Sequence, residues 1–244
     1  MPTDSHNGNA LYRLQHTLQT GPERCAEPPA IGASSLQEAL SSSAFDTAAT
    51  AFVLAALEEA QAPLLWVQDR MSRREFGRIN TPGLTGLKDE AHVLHVAVNN
   101  ARDVLWAMEE GASCAGLGGV LGEIHGGPAV LDFTATKRLV LRSEASGVPV
   151  WLIRSGDTGG LSAARERWRV STHPPTPHFY DPQAPGHPAW QAELFRARSR
   201  PPGTWTVHHD PSKDRKQDRL RLVSQTRHAT LDDAAARERT SHAG

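Results

Sequence analysis

A chain of 244 residues that is 39% hydrophobic and carries 20 Gly and 17 Pro reads as one large domain with appended arms rather than as one continuous core. No stretch approaches about 20 uninterrupted apolar residues, the opening MPTDSHNGNA lacks the basic start and apolar centre of a secretion signal, and Cys25 and Cys114 are too few for a disulfide framework or a four-thiolate zinc site. Neither membrane insertion nor secretion is therefore expected, and a cytoplasmic location is. The net charge of −1 averages two unlike halves: residues 1–133 hold 8 basic and 16 acidic side chains, and residues 134–244 hold 18 and 11. Such asymmetry makes the second half a candidate surface for nucleic acid or an acidic partner.

Residues 1–33 are polar and Pro-containing except for Leu11, Leu14 and Leu18, whose spacing aligns them on a short helix, a candidate docking arm. A core over 34–209 follows. Leu36 to Leu40 predicts a strand, and after a Ser-rich loop Asp46 can cap a helix from Thr47 to about Gln61, apolar all round in its first turns and so expected between layers. Leu64 to Val67 and His92 to Val98 read as interior strands. Asn100 caps the helix ARDVLWAMEE, with Gly111 placed as a left-handed stop. Leu117 to Ile124 predicts a strand, Thr134 to Ser146 a helix ended by Gly147, and Val148 to Ile153 another strand. This alternation is the grammar of a parallel sheet with right-handed crossovers. Arg167 to Val170, Trp190 to Arg196 and Thr204 to His208 read as antiparallel additions, separated by a Pro-rich surface loop over 172–188. The charged tail, 210–244, has too few apolar groups to offset its ordering entropy and is expected to be disordered or transiently helical.

A nucleotide site on such a sheet needs backbone N–H groups that approach phosphate and a Lys that neutralises it. The loop after the first strand reads Ser41, Ser42, Ser43, Ala44, Phe45, Asp46, Thr47, Ala48. Against G-x-x-x-x-G-K-[ST], Ser41 and Asp46 stand for the glycines, Thr47 for the Lys and Ala48 for the magnesium-binding hydroxyl. The phosphate loop is degenerate, so no nucleotide cofactor is expected. GLGGVLG at 116–122 looks like a strand interior whose glycines permit close packing, not a dinucleotide turn. His92 and His95 point to opposite faces of a strand, as do His208 and His209, which makes each pair poor joint metal ligands. Ser113 and Cys114 have no evident base, and Glu123 and Asp132 are candidate metal ligands set against capping and hydration. No metal is expected. The basic signal is Lys137, Arg138 and Arg142 on one helix and Arg165, Arg167 and Arg169 around Trp168, candidate contacts for DNA or a partner against a solvated face over a core Trp. The 22 Arg against 4 Lys favour bidentate recognition without deciding it.

The series LLWVQDR, TPGLTGL, HVLHVAVNNARDVLWAMEEG, LDFTATKRLVLRSEASGV, ARERWRV and WQAELFRARSRPPGTWTV resembles the ImuA family over about residues 36–208. Trp66, Pro82, Gly83, Leu84, Asp103, Leu105 and Trp106 fall at matching positions, as do Leu131, Asp132, Thr134, Arg138 and Leu139. The resemblance implies a RecA-like three-layer α/β sandwich with a mainly parallel central sheet and antiparallel C-terminal strands. It also implies expression in the DNA-damage (SOS) response and action in translesion synthesis with an ImuB-like inactive relative of Y-family polymerases and an error-prone DnaE-type polymerase, with RecA and DNA as further candidate partners. The expected role is a noncatalytic adaptor, not an enzyme. Two alternatives stand beside it: a divergent RecA-class ATPase using Glu123 or Asp132 with magnesium, and a cell-division inhibitor of the SulA type.

Overall fold

The computed structural model describes residues 35–43, 45–57, 62–80, 93–156, 159–178, 180–181, 183–210 and 220–224. The Leu11, Leu14 and Leu18 arm, the turn at Pro82, Gly83 and Leu84, and most of the charged tail lie outside them. Thirteen elements follow one another among the described residues: β1 (Leu36–Ser41), α1 (Ala48–Ala56), β2 (Leu64–Gln68), α2 (Arg70–Phe76), β3 (Val93–Ala97), α3 (Ala101–Ala112), β4 (Gly119–His125), α4 (Phe133–Ser146), β5 (Val150–Ser155), β6 (Glu166–His173), β7 (Ala189–Ala197), β8 (Gly203–His209) and β9 (Leu220–Ser224). The strands form one sheet in the order β3-β2-β4-β5-β1-β6-β7-β8-β9. Pairing is parallel from β3 through β6 and antiparallel from β6 to β9.

Strand periodicity divides the core into two layers. Along β5, Trp151 and Ile153 join α1 on one face of the sheet, while Val150 and Leu152 join α3 and α4 on the other. The all-round apolar character of α1 has a direct cause. Phe52 meets Trp151 of β5, Trp168 of β6 and Trp190 of β7 at ring-centroid distances of 6.2, 5.6 and 6.4 Å, and Leu220 and Leu222 of β9 join the same cluster. Helix starts follow local chemistry: Asn100 accepts from the Asp103 N–H at 3.0 Å, and Asp132 from that of Ala135 at 2.7 Å. Gly147, at φ 81°, ends α4 in the left-handed region that favours glycine.

Four sequence expectations are corrected, and one element is added. Gly111 is not a stop; it is buried inside α3, and a Cβ there would lie 2.4 Å from Leu65 Cδ2, so the glycine lets helix and sheet approach. β3, expected in the interior, is the outer strand, paired only with β2 among the described residues, and Leu94 is 51% exposed. Apolar runs identify strands but not their place in the order. β6 is parallel to β1 and antiparallel only to β7, so it joins the two halves of the sheet. α2 was not anticipated, since RMSRREF has no apolar period; its signals are Asp69, which accepts from the Ser72 N–H at 2.6 Å, and Gly77 at φ 84°. Within the tail, β9 pairs with β8 and buries Leu220 and Leu222, which supply the apolar surface that average composition conceals.

Candidate functional site at the closed switch point

Ligands of open α/β sheets bind beyond the carboxyl ends of the strands, where connections from neighbouring strands leave in opposite directions. Here that point lies between β1, which leads through α1 to β2 on one side, and β5, which leads to β6 on the other. Its crevice is lined by Ser41, Asp46, Thr50, Phe76, Glu123, Ile153 and Ser155, around a cavity of about 10 Å³. That is about the room one water needs.

The turn after β1 explains the closure. Asp46 Oδ1 accepts from the Ala48 N–H at 2.8 Å, inside the first turn of α1. The same carboxylate accepts from the Thr172 hydroxyl at 2.8 Å and, through Oδ2, from the Thr172 N–H at 2.9 Å. The positive end of a helix dipole, the usual seat of a phosphate, is therefore taken by the chain's own anion, which is tied to β6. Neither Lys nor Arg lines this cavity among the described residues. Thr47 is exposed, and Ala48 is buried against the core.

Beneath the turn, Glu123 is 5% exposed. Its carboxylate accepts from Gln68 Nε2 at 2.6 Å and from the Thr50 hydroxyl at 3.3 Å. Burial pushes its pKa upward, opposed by the donors Gln68 and Thr50 and reinforced by the Asp69 charge. Gln68 turns its oxygen to His95 Nε2 at 3.0 Å. With Gln68 donating to Glu123, the His95 nitrogen is the donor in that bond. The His95 pKa is lowered by partial desolvation and then by the charges of Arg73 and Arg78. A second pair, His125 Nδ1 and Ser155 Oγ, stands 3.1 Å apart. This network can hold a proton in the interior, but it leaves no room for a substrate. Among the described residues no group of three His, Cys, Asp or Glu side chains is placed to hold a metal; Asp132 is occupied as a helix cap.

The raised Glu123 pKa has a measurable consequence. Folding holds the proton that the unfolded carboxyl releases near 4.5, so the Glu123 contribution is complete below that value. It falls as pH rises toward the folded-state value and stays lost above it. Glu123→Gln should therefore gain stability relative to the native chain across that window, with no further divergence at higher pH. Urea unfolding midpoints between mildly acidic and neutral pH measure this, and parallel pH profiles for the two proteins would contradict it.

The six basic candidates are dispersed. Lys137 and Arg165 line one groove, while Arg138 lines another, with Arg102 and Trp106. Arg138 pairs with Glu109 at 2.8 Å, Arg165 with Glu144 at 2.6 Å and Arg169 with Glu193 at 2.5 Å. Arg142 donates to the Ser113 hydroxyl at 2.8 Å. Arg167 presents no surface: it is 3% exposed and pairs with the fully buried Glu38 at 2.8 Å. Alternation along β6 does place Arg167 and Arg169 together, both over the Phe195 ring, but the first of them is buried, with Gly159 against it and Ser162 against its Glu38 partner. Arg196 and Arg198, beside Lys137 and Arg165 in the groove, were missed by sequence reasoning; their alternate positions at and just beyond the end of β7 were the available signal.

The fold is RecA-like: a mixed sheet, mostly parallel with antiparallel C-terminal strands, and helices packed around it. Among solved structures the chain is similar to the RadB recombinase, with 10% sequence identity over 73% of this chain and 88% of that one, at a TM-score of 0.50. At that identity the likeness is one of fold. No protein-family model and no curated protein matches the sequence. No helix among the described residues is long and apolar enough to cross a membrane.

Proposed function

We propose that the chain is a RecA-like accessory protein that acts by assembly and not by ATP turnover. In this reading it serves damage-induced translesion synthesis, bringing an ImuB-like inactive polymerase relative and an error-prone DnaE-type polymerase to one template, with RecA and DNA as further partners. The resemblance over residues 36–208 supports the setting. The observation that carries the noncatalytic part is the Asp46 carboxylate in the first turn of α1. Rate enhancement then comes from effective concentration, which raises encounter among bound partners without a new chemical step.

Calorimetric titration of the purified chain with ATP and magnesium is expected to show no saturable binding at millimolar nucleotide. ATP hydrolysis abolished by Glu123→Gln would establish the ATPase reading instead. In cells, deletion should reduce damage-induced mutation without affecting division; filamentation on expression would favour a division inhibitor.

A further inference from the structure

On the α4 side of the sheet lies a groove of about 490 Å³, formed by α4, the segment 162–165 and the end of β7. Phe133, Lys137 and Leu141 are spaced four apart on α4 and so form one stripe. Phe133 and Leu141 remain 49% and 56% exposed, a cost in water that a covering apolar surface would remove. Lys137 of the stripe is joined by Arg196 and Arg198 across the groove. All three are exposed, and none has a carboxylate partner among the described residues. The contrast with nearby arginines is sharp: Arg138, Arg165, Arg169 and Arg200 each meet a Glu. Unpaired cations are thus gathered where exposed apolar surface is also gathered.

We propose that this groove docks an acidic amphipathic segment of a partner protein, with aliphatic side chains seated against Phe133 and Leu141 and Asp or Glu side chains meeting Lys137, Arg196 and Arg198. The proposal deepens the adaptor reading and rests on it. Charge complementarity selects the acidic flanks. The stripe of one aromatic and one aliphatic residue selects a peptide, because helix-in-groove recognition uses apolar anchors spaced by one or two turns. A single strand of nucleic acid would instead need successive aromatic faces for its bases, and Phe133 is the one aromatic residue lining the groove among the described residues.

The test is fluorescence anisotropy with the full chain and three labelled probes: a helical peptide with Leu on one face flanked by Glu, a scramble of the same composition, and oligo-dT. The amphipathic peptide should bind saturably, with the scramble and the oligonucleotide each at least about tenfold weaker. The triple variant Lys137→Glu, Arg196→Glu, Arg198→Glu and the double variant Phe133→Ala, Leu141→Ala should each weaken the peptide by about tenfold or more. Urea melts of both variants, which change exposed positions, establish that they are folded. Equal binding of the scramble, tighter binding of oligo-dT, no peptide binding, or insensitivity to either variant would each overturn the proposal. ATP turnover would remove the adaptor reading by itself, whereas peptide failure leaves the closed turn at Asp46 untouched.

Discussion

Replacing Glu38 by alanine should destabilise the chain by about 3–5 kcal/mol, the range for breaking a buried ion pair from one side. Glu38 is fully buried in the middle of β1, the middle strand of the nine-stranded sheet. It receives Arg167 at 2.8 Å and Arg154 at 3.3 Å, and the Ser162 hydroxyl donates to its other oxygen. Arg154 and Arg167 are themselves 2% and 3% exposed. Removing the carboxylate strips this anion from two guanidinium groups that have little access to water, and it leaves a cavity as well. The expected signature is a lower urea midpoint with an unchanged denaturant slope. Glu38→Gln, which keeps the volume and an acceptor oxygen, should lose less than Glu38→Ala. A loss below about 1 kcal/mol for the alanine variant would mean that the chain at Gly159 and Ser162 opens and lets water reach both cations.

Trp168→Ala should cost a comparable amount, about 3–5 kcal/mol, through cavity formation in the opposite layer. The indole is fully buried, with Phe52 at 5.6 Å and Trp205 at 5.7 Å between ring centroids. Arg200 lies over the indole at 5.3 Å, and the indole N–H donates to Glu166 at 3.3 Å. It therefore joins α1 to the antiparallel strands. In a chain of this size each kcal/mol lowers the melting temperature by about 2–4 °C, so a fall on the order of 10 °C is expected in a calorimetric scan. Trp168→Phe retains most of the apolar area and should fall by less. If the two variants melt alike, the lost N–H bond and not the cavity dominates.

Both positions sit in strands whose sequences conceal their roles. LQEALS reads as a half-polar strand, yet Gln37 and Glu38 are as buried as Leu36. Nothing near Glu38 in the chain reveals its partners: Arg154 and Arg167 follow it by 116 and 129 residues. RWRV, by contrast, was readable as Trp168 and Val170 in the core with arginines opposite, and both apolar residues are fully buried. The missing piece was that one of the two arginines is covered. The closed turn was half legible. The loss of glycines and Lys between Ser41 and Ala48 is a statement about residue types, whereas the clasp of Asp46 on Thr172 spans 126 residues.

Local physics placed what local residues control. The apolar runs of β2, β4 and β5 marked buried strands, Asn100 and Asp132 set helix starts, and Gly147 set a stop, because periodicity and capping act within a few residues. Together they specified an alternating α/β chain with a degenerate turn after its first strand. The tertiary structure decided which strand is central and which is an edge, that β6 runs parallel to β1, which cations are buried with Glu38, and that Asp46 fills the helix end. Those outcomes depend on groups far apart in sequence, whose burial and charge pairing are settled only when the layers close.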